Sequence, residues 1–125
     1  VVAAILGVTS GTFMKFLSDL DKPMDGKVDP DLLDALREHV RTMEKTIGEY
    51  NQQDEAFRQL YARDLVDTAM EIIVSYLFLN ASRYTDHKKV IARRYITQVL
   101  PKIRMRLERI AIGERSTLDL FEQVI

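Results

Sequence analysis

The chain of 125 residues contains no cysteine and no tryptophan. Without cysteine there is no disulfide, no thiolate nucleophile and no zinc–cysteine site, and a reducing, cytoplasmic setting is expected. Histidine is nearly missing too: there are only two, His39 and His87, and neither follows a glutamate by three residues, as the ligand motif of a di-metal bundle requires. Glu38-His39 and Asp86-His87 are sequence neighbours, which on a helix diverge by about 100° and form no ready dyad. Both histidines are therefore expected at the surface or in turns. No Gly-x-Gly-x-x-Gly, Gly-Lys-Ser/Thr or Gly-x-Ser-x-Gly pattern occurs, so phosphate-cradling loops and a nucleophile elbow are not readable. The apolar opening Val1–Leu6 is far shorter than the roughly 20 residues that span a bilayer, and no basic segment precedes it as in a signal sequence. An apolar start without a methionine reads as the C-terminal piece of a longer chain.

What is present is a sequence of ordinary globular balance, 46% apolar and 30% charged, of a length that suits one domain over residues 1–125. Three prolines and five glycines leave long uninterrupted stretches, and wherever a pattern appears its period is helical. A helix over Thr9 to Leu20, capped by Thr9 or Ser10, places Phe13, Met14, Phe16, Leu17 and Leu20 toward one side. Residues 21–29, with Pro23 and Asp25-Gly26, read as a loop too polar to pack. Asp29 before Pro30 is an N-cap followed by proline at the first helical position, and Leu36, Val40, Met43, Ile47 and Tyr50 then form an apolar stripe. A break is expected around Asn51–Asp54, where either Asn51 or Asp54 can cap the next helix, with one bent helix as the alternative.

The most apolar segment, Glu55 to Ser82, should be the central helix. Phe57, Tyr61, Leu65, Ala69, Ile72, Tyr76 and Leu79 form its seam, and Met70, Ile73, Val74, Leu77 and Phe78 widen it. Asp64, Asp67, Glu71 and Ser75 fall in a sector of roughly 80°, which suggests a helix covered on most sides with one narrow polar line. Tyr84-Thr85-Asp86 makes a turn and cap before a last long helix, Val90 to Ile110, whose face is Ala92, Ile96, Val99, Ile103, Leu107 and Ile110. Pro101 falls about 180° from that face, on its outer side, where it bends the helix without ending it. Gly113 is a natural stop, and Ser116–Asp119 resembles the cap of a short final helix through Phe121 and Val124. The fold class expected is all-α: an antiparallel bundle of three to four long helices plus short terminal ones.

Although the net charge is −1, the charges are segregated. Residues 29–71 hold 11 acidic and 5 basic side chains, net −6, and residues 86–115 hold 9 basic and 3 acidic, net +6. Asp64, Asp67 and Glu71 are thus candidate inter-helix partners of the basic helix. Arg93, Arg94 and Arg104 are candidates for docking to an acidic surface or contacting an anion. A nucleic-acid partner is not expected, since the domain is acidic overall, shows no helix-turn-helix pattern and interleaves few aromatics with its cations. Contact with a membrane surface has no support beyond the basic helix. The aromatics Phe57, Tyr61, Tyr76, Phe78 and Tyr95 read as core filling before they read as a ligand pocket.

Gly11-Thr12-Phe13-Met14-Lys15-Phe16-Leu17, the helix Arg63-Asp64-Leu65-Val66-Asp67-Thr68-Ala69, and Ala92-Arg93-Arg94-Tyr95-Ile96 running on to Leu100-Pro101-Lys102-Ile103-Arg104 together resemble the extra C-terminal helical region of some acyl-CoA dehydrogenases. The resemblance covers most of the chain but rests on helix patterns. It implies a parent flavoenzyme whose FAD site and catalytic glutamate lie in upstream domains, with these helices packing on that body or aiding homo-oligomer or membrane contacts. No catalytic, cofactor-binding or metal-ligating residue is carried over to this chain, and Glu71 is not read as a base. Two alternatives stand beside it: a binding module for acyl-CoA or a similar anionic amphiphile, and a plain dimerisation bundle.

Overall fold

The computed structural model describes residues 2–113, and the side chains of residues 4–113. Its elements are α1 (Val2–Thr9), α2 (Thr12–Asp21), a 3-10 turn (Lys22–Met24), α3 (Pro30–Asn51), α4 (Glu55–Ala81) and α5 (Asp86–Ile112). The protein is all-α, with no strand among the described residues. The short helix read from Ser116 onward lies outside them.

Each long helix begins on a side-chain cap that takes up otherwise orphaned backbone donors. The Asp29 carboxylate accepts from the N–H groups of Asp31 and Leu32, Asp54 from Phe57, and the Thr85 hydroxyl from Lys88. Asp54, after the break at 52–54, thus settles that α3 and α4 are two helices. Tyr50 locks their junction by donating its hydroxyl to the Arg58 carbonyl at 2.6 Å. At the far end of α5, Gly113 takes φ +70°, a left-handed conformation that favours glycine and stops the helix.

At the N-terminal end the structure departs from the expectation. α2 starts at Gly11, whose φ of 93° only glycine adopts without strain, and it has no side-chain cap; Thr9 instead closes α1, with its hydroxyl on the Ile5 carbonyl at 2.9 Å. Gly11 thus separates α2 from α1, a helix within the N-terminal apolar segment that the sequence pattern did not indicate. Phe16 is also 46% exposed, because α2 turns Phe13 and Leu17 inward.

One apolar core runs from Val8 in α1 to Ile110 in α5. α4 packs against all four other helices. The pairs Phe78–Tyr95, Glu71–Arg106 and Asp64–Arg109 rise along α4 while falling along α5, so these two helices are antiparallel. Thr68 and Ser75 are buried on α4, and their hydroxyls are satisfied by donating to the carbonyls of Asp64 and Glu71 one turn back. Pro101 is exposed inside an unbroken α5, and the Thr97 hydroxyl donates to the carbonyls of Arg93 and Arg94 in the preceding turn.

Candidate interaction surface

The polar line of α4 does not face solvent. Asp64, Glu71 and Ser75 point at α5, where Arg106 pairs with Glu71 and Arg109 approaches Asp64 at 3.5 Å. The acidic and basic helices thus meet at the packing seam through two of the three carboxylates read as partners of the basic helix, Asp64 and Glu71. Asp67 behaves differently. Its contact, at 3.4 Å, is with Arg63 one turn away on the same helix, and both side chains are exposed.

Because the polar line is turned inward, an apolar sector is turned out. The residues read as widening a covered seam include Met70 and Leu77, and these are 56% and 52% exposed. Leu60 joins them at 37%, with Val66, Ile73, Val74 and Ala81 half-buried between. At 100° per residue these side chains occupy one sector centred on Met70, and α5 and the core lie on the other sides. The sector continues onto α5 through an edge-to-face contact of Phe78 and Tyr95, ring centres 5.0 Å apart. Beside that contact a cavity of about 400 Å³ is lined by Phe78, Val90, Ile91, Tyr95 and Gln98, with His87 and Arg94 among its walls.

The three arginines chosen from the sequence separate. Arg93 is tied across the bundle to Asp29 at 2.5 Å, where it joins the cap of α3. Burial alone would push the Asp29 carboxyl up, but the Asp31 N–H, Arg93 and the Leu32 N–H together hold it below the usual carboxylate range. Arg94 and Arg104 are exposed and carry no ion pair among the described residues. Only Arg94 borders the aromatic cavity.

Sequence reasoning missed a second polar centre. Asp21 accepts two hydrogen bonds from Arg37, Nε at 2.9 Å and Nη2 at 2.7 Å, and a third from the Tyr76 hydroxyl at 2.8 Å. Arg37 also donates Nη1 to Asp25 at 2.8 Å. The segment 21–29, expected to be too polar to pack, is therefore held to α3 and α4 by its own acids, and it buries Met24 to 1% exposure. Arg37 holds the Asp21 carboxyl below the ordinary carboxylate value against the opposing effect of burial, with Tyr76 assisting. The same contacts push the Arg37 guanidinium up, while burial and then Asp21 push the Tyr76 hydroxyl up. Arg37 sits in the loop–α3 contact as a clamp, with its donors engaged by two aspartates. The spacing of Asp21 from Tyr76, 55 residues, left no local signal to find.

His39 is a further correction. It is 93% buried on α3, with Nδ1 2.7 Å from the Ala35 carbonyl, and its Nε2 has no hydrogen-bond partner. Nothing in the structure explains that orphaned atom. His87 is exposed in the first turn of α5, a surface position as expected. Among the described residues no cluster of three or more acidic or histidine side chains could hold a metal ion. Among them, too, no helix is long and apolar enough to cross a membrane. No family model matches the chain, and neither does any curated protein or solved structure.

Proposed function

We propose that the chain is a non-catalytic helical packing module, of the kind its sequence resembles at the C-terminal end of an acyl-CoA dehydrogenase-like flavoenzyme. The observation that carries the reading is the outward sector of α4, where Met70 and Leu77 are more than half exposed within a stretch, residues 64–81, whose other side chains are buried or half-buried. Large apolar side chains gathered on one face mark association surfaces more often than they mark chemistry. In this reading the sector docks to upstream domains of the same polypeptide or to another subunit, and FAD is held elsewhere in the parent enzyme.

The test is the gene product that contains the chain. Flavin absorbance is expected in the full-length protein and none in residues 1–125 alone; an upstream sequence without a flavin-binding body overturns the assignment to a flavoenzyme. Introducing Leu77→Glu into the full-length protein should expose the module to limited proteolysis. Unchanged cleavage would count against the packing face itself.

One feature supports the anionic-amphiphile alternative: Arg94 stands beside the cavity built by Phe78, Val90, Ile91 and Tyr95. That arrangement offers a cation to a phosphate and an apolar wall to a chain. Calorimetric titration with an acyl-CoA at millimolar concentration distinguishes it, since an absence of heat removes this reading.

A further inference from the structure

Between Val66 and Ala81 the outward sector of α4 carries one charge, Asp67, among Val66, Met70, Ile73, Val74, Leu77 and Ala81. Arg94 lies on the adjoining helix. Asp67 has only its exposed contact to Arg63, and Arg94 has no ion pair among the described residues. A face with an apolar centre, an acid near one end and a base near the other can be its own complement when one copy is reversed.

Helix geometry gives the register. The Phe78–Tyr95 contact and the antiparallel course of α5 place Arg94 at about the height of residue 79 or 80 of α4. A two-fold axis crossing α4 at Val74 brings residue 67 of one copy level with residue 81 of the other. At 1.5 Å per residue, Asp67 then lies within about 3 Å of the height of Arg94 of the second copy. The same operation sets Met70 level with Phe78, beside Leu77, and leaves Val74 against itself. We infer that this face is an isologous interface, closing on a second copy of the chain with antiparallel α4 helices and two reciprocal Asp67–Arg94 ion pairs.

The occupant follows from that reciprocity. An unlike partner would have to supply a base opposite Asp67 and an acid opposite Arg94, at the same separation and in reverse order, whereas a second copy supplies both. The extent of the face sets the strength expected. Residues 66–81 span about 24 Å, and two helix widths give about 20 Å, so each copy contributes roughly 500 Å² of projected face. That is at the low end for a specific interface and corresponds to a reversible dimer.

The inference rests on the packing-module reading and specifies its partner. Sedimentation equilibrium of the chain through the micromolar range should show a monomer–dimer equilibrium. Leu77→Glu should weaken it at least about tenfold, as should Met70→Lys, and both variants should keep the helical circular dichroism because the replaced side chains are exposed. Asp67→Lys and Arg94→Glu should each weaken association severalfold, and the double variant should restore it. A chain that stays monomeric, or a double variant no better than either single one, overturns the two-fold interface. If the chain is monomeric while Leu77→Glu still loosens the module in the full-length protein, only the second copy is wrong. If Leu77→Glu changes neither, the packing face fails as well.

Discussion

α4 carries two apolar lines with opposite fates. Leu65, Ile72 and Leu79 are fully buried, and they repeat at helical spacing, as do Met70 and Leu77, which are more than half exposed. The two lines are chemically alike, so hydrophobic periodicity cannot rank them. What separates them is the polar line between: Asp64 and Glu71 are drawn to the arginines of α5, and that attraction fixes the rotation of α4 about its own axis. Apolar content makes a helix bury something; the charges decide which face it buries.

The sharpest break in this comparison is expected from truncating the two lines in turn. Ile72→Ala or Leu65→Ala should lower unfolding stability by about 2–5 kcal/mol, through lost burial and the cavity left behind. Met70→Ala and Leu77→Ala should change it far less, by about 0.5 kcal/mol, in dilute solution, where more than half of each residue is already exposed to water. Urea titration of the four variants is the measurement, and equal losses on both lines would contradict the assignment of faces.

Next in size is the Asp21 clamp, which ties the turn after α2 to both α3 and α4 through polar contacts. Asp21→Asn should cost about 2 kcal/mol at pH 7, since it weakens charge-assisted bonds from Arg37 in a partly shielded site. The sign of the pH dependence follows from the lowered carboxyl. Its contribution is fully present above the unfolded value near 3.8 and is lost as pH falls through the lower folded value. The gap between wild type and Asp21→Asn in urea titrations should therefore narrow as the pH drops below about 4, and a gap that widens there would refute the clamp.

The starts of α3 and α4, the stop of α5 and the core seams were legible in the sequence because capping and burial leave local marks, whereas α5 begins at Asp86, ahead of the Val90 start that its apolar pattern suggested. Asp29-Pro30, Asp54, Thr85 and Gly113 each act where their chemistry indicated, and the inward residues of α3, α4 and α5 follow their stripes. The orientation of α4 was not legible, since it depends on which residues of a second helix lie opposite. Asp21–Tyr76 was hidden for the same reason. His39 was misjudged because polarity argues for exposure, whereas its position between Leu36 and Met43 on the buried stripe of α3 places it inside. Of the arginines, charge segregation identified the attraction between the halves, but only geometry separates Arg93, already bonded to Asp29, from Arg94 and Arg104, which have no ion pair among the described residues.

Smaller effects refine the picture. Removing the α4 cap with Asp54→Ala should cost about 1 kcal/mol in urea titrations. Replacing His39 with Leu removes an unpartnered buried nitrogen, so it should be neutral or stabilising by up to about 1 kcal/mol; a loss larger than this would mean that Nε2 has a partner in solution.

The claim that α4 keeps its second apolar line for association is tested most directly by the concentration dependence of the urea midpoint. For wild type the midpoint should rise with protein concentration, because a dimer draws on the folded state by mass action, while for Leu77→Glu it should stay constant. A wild-type midpoint independent of concentration would contradict self-association through this face.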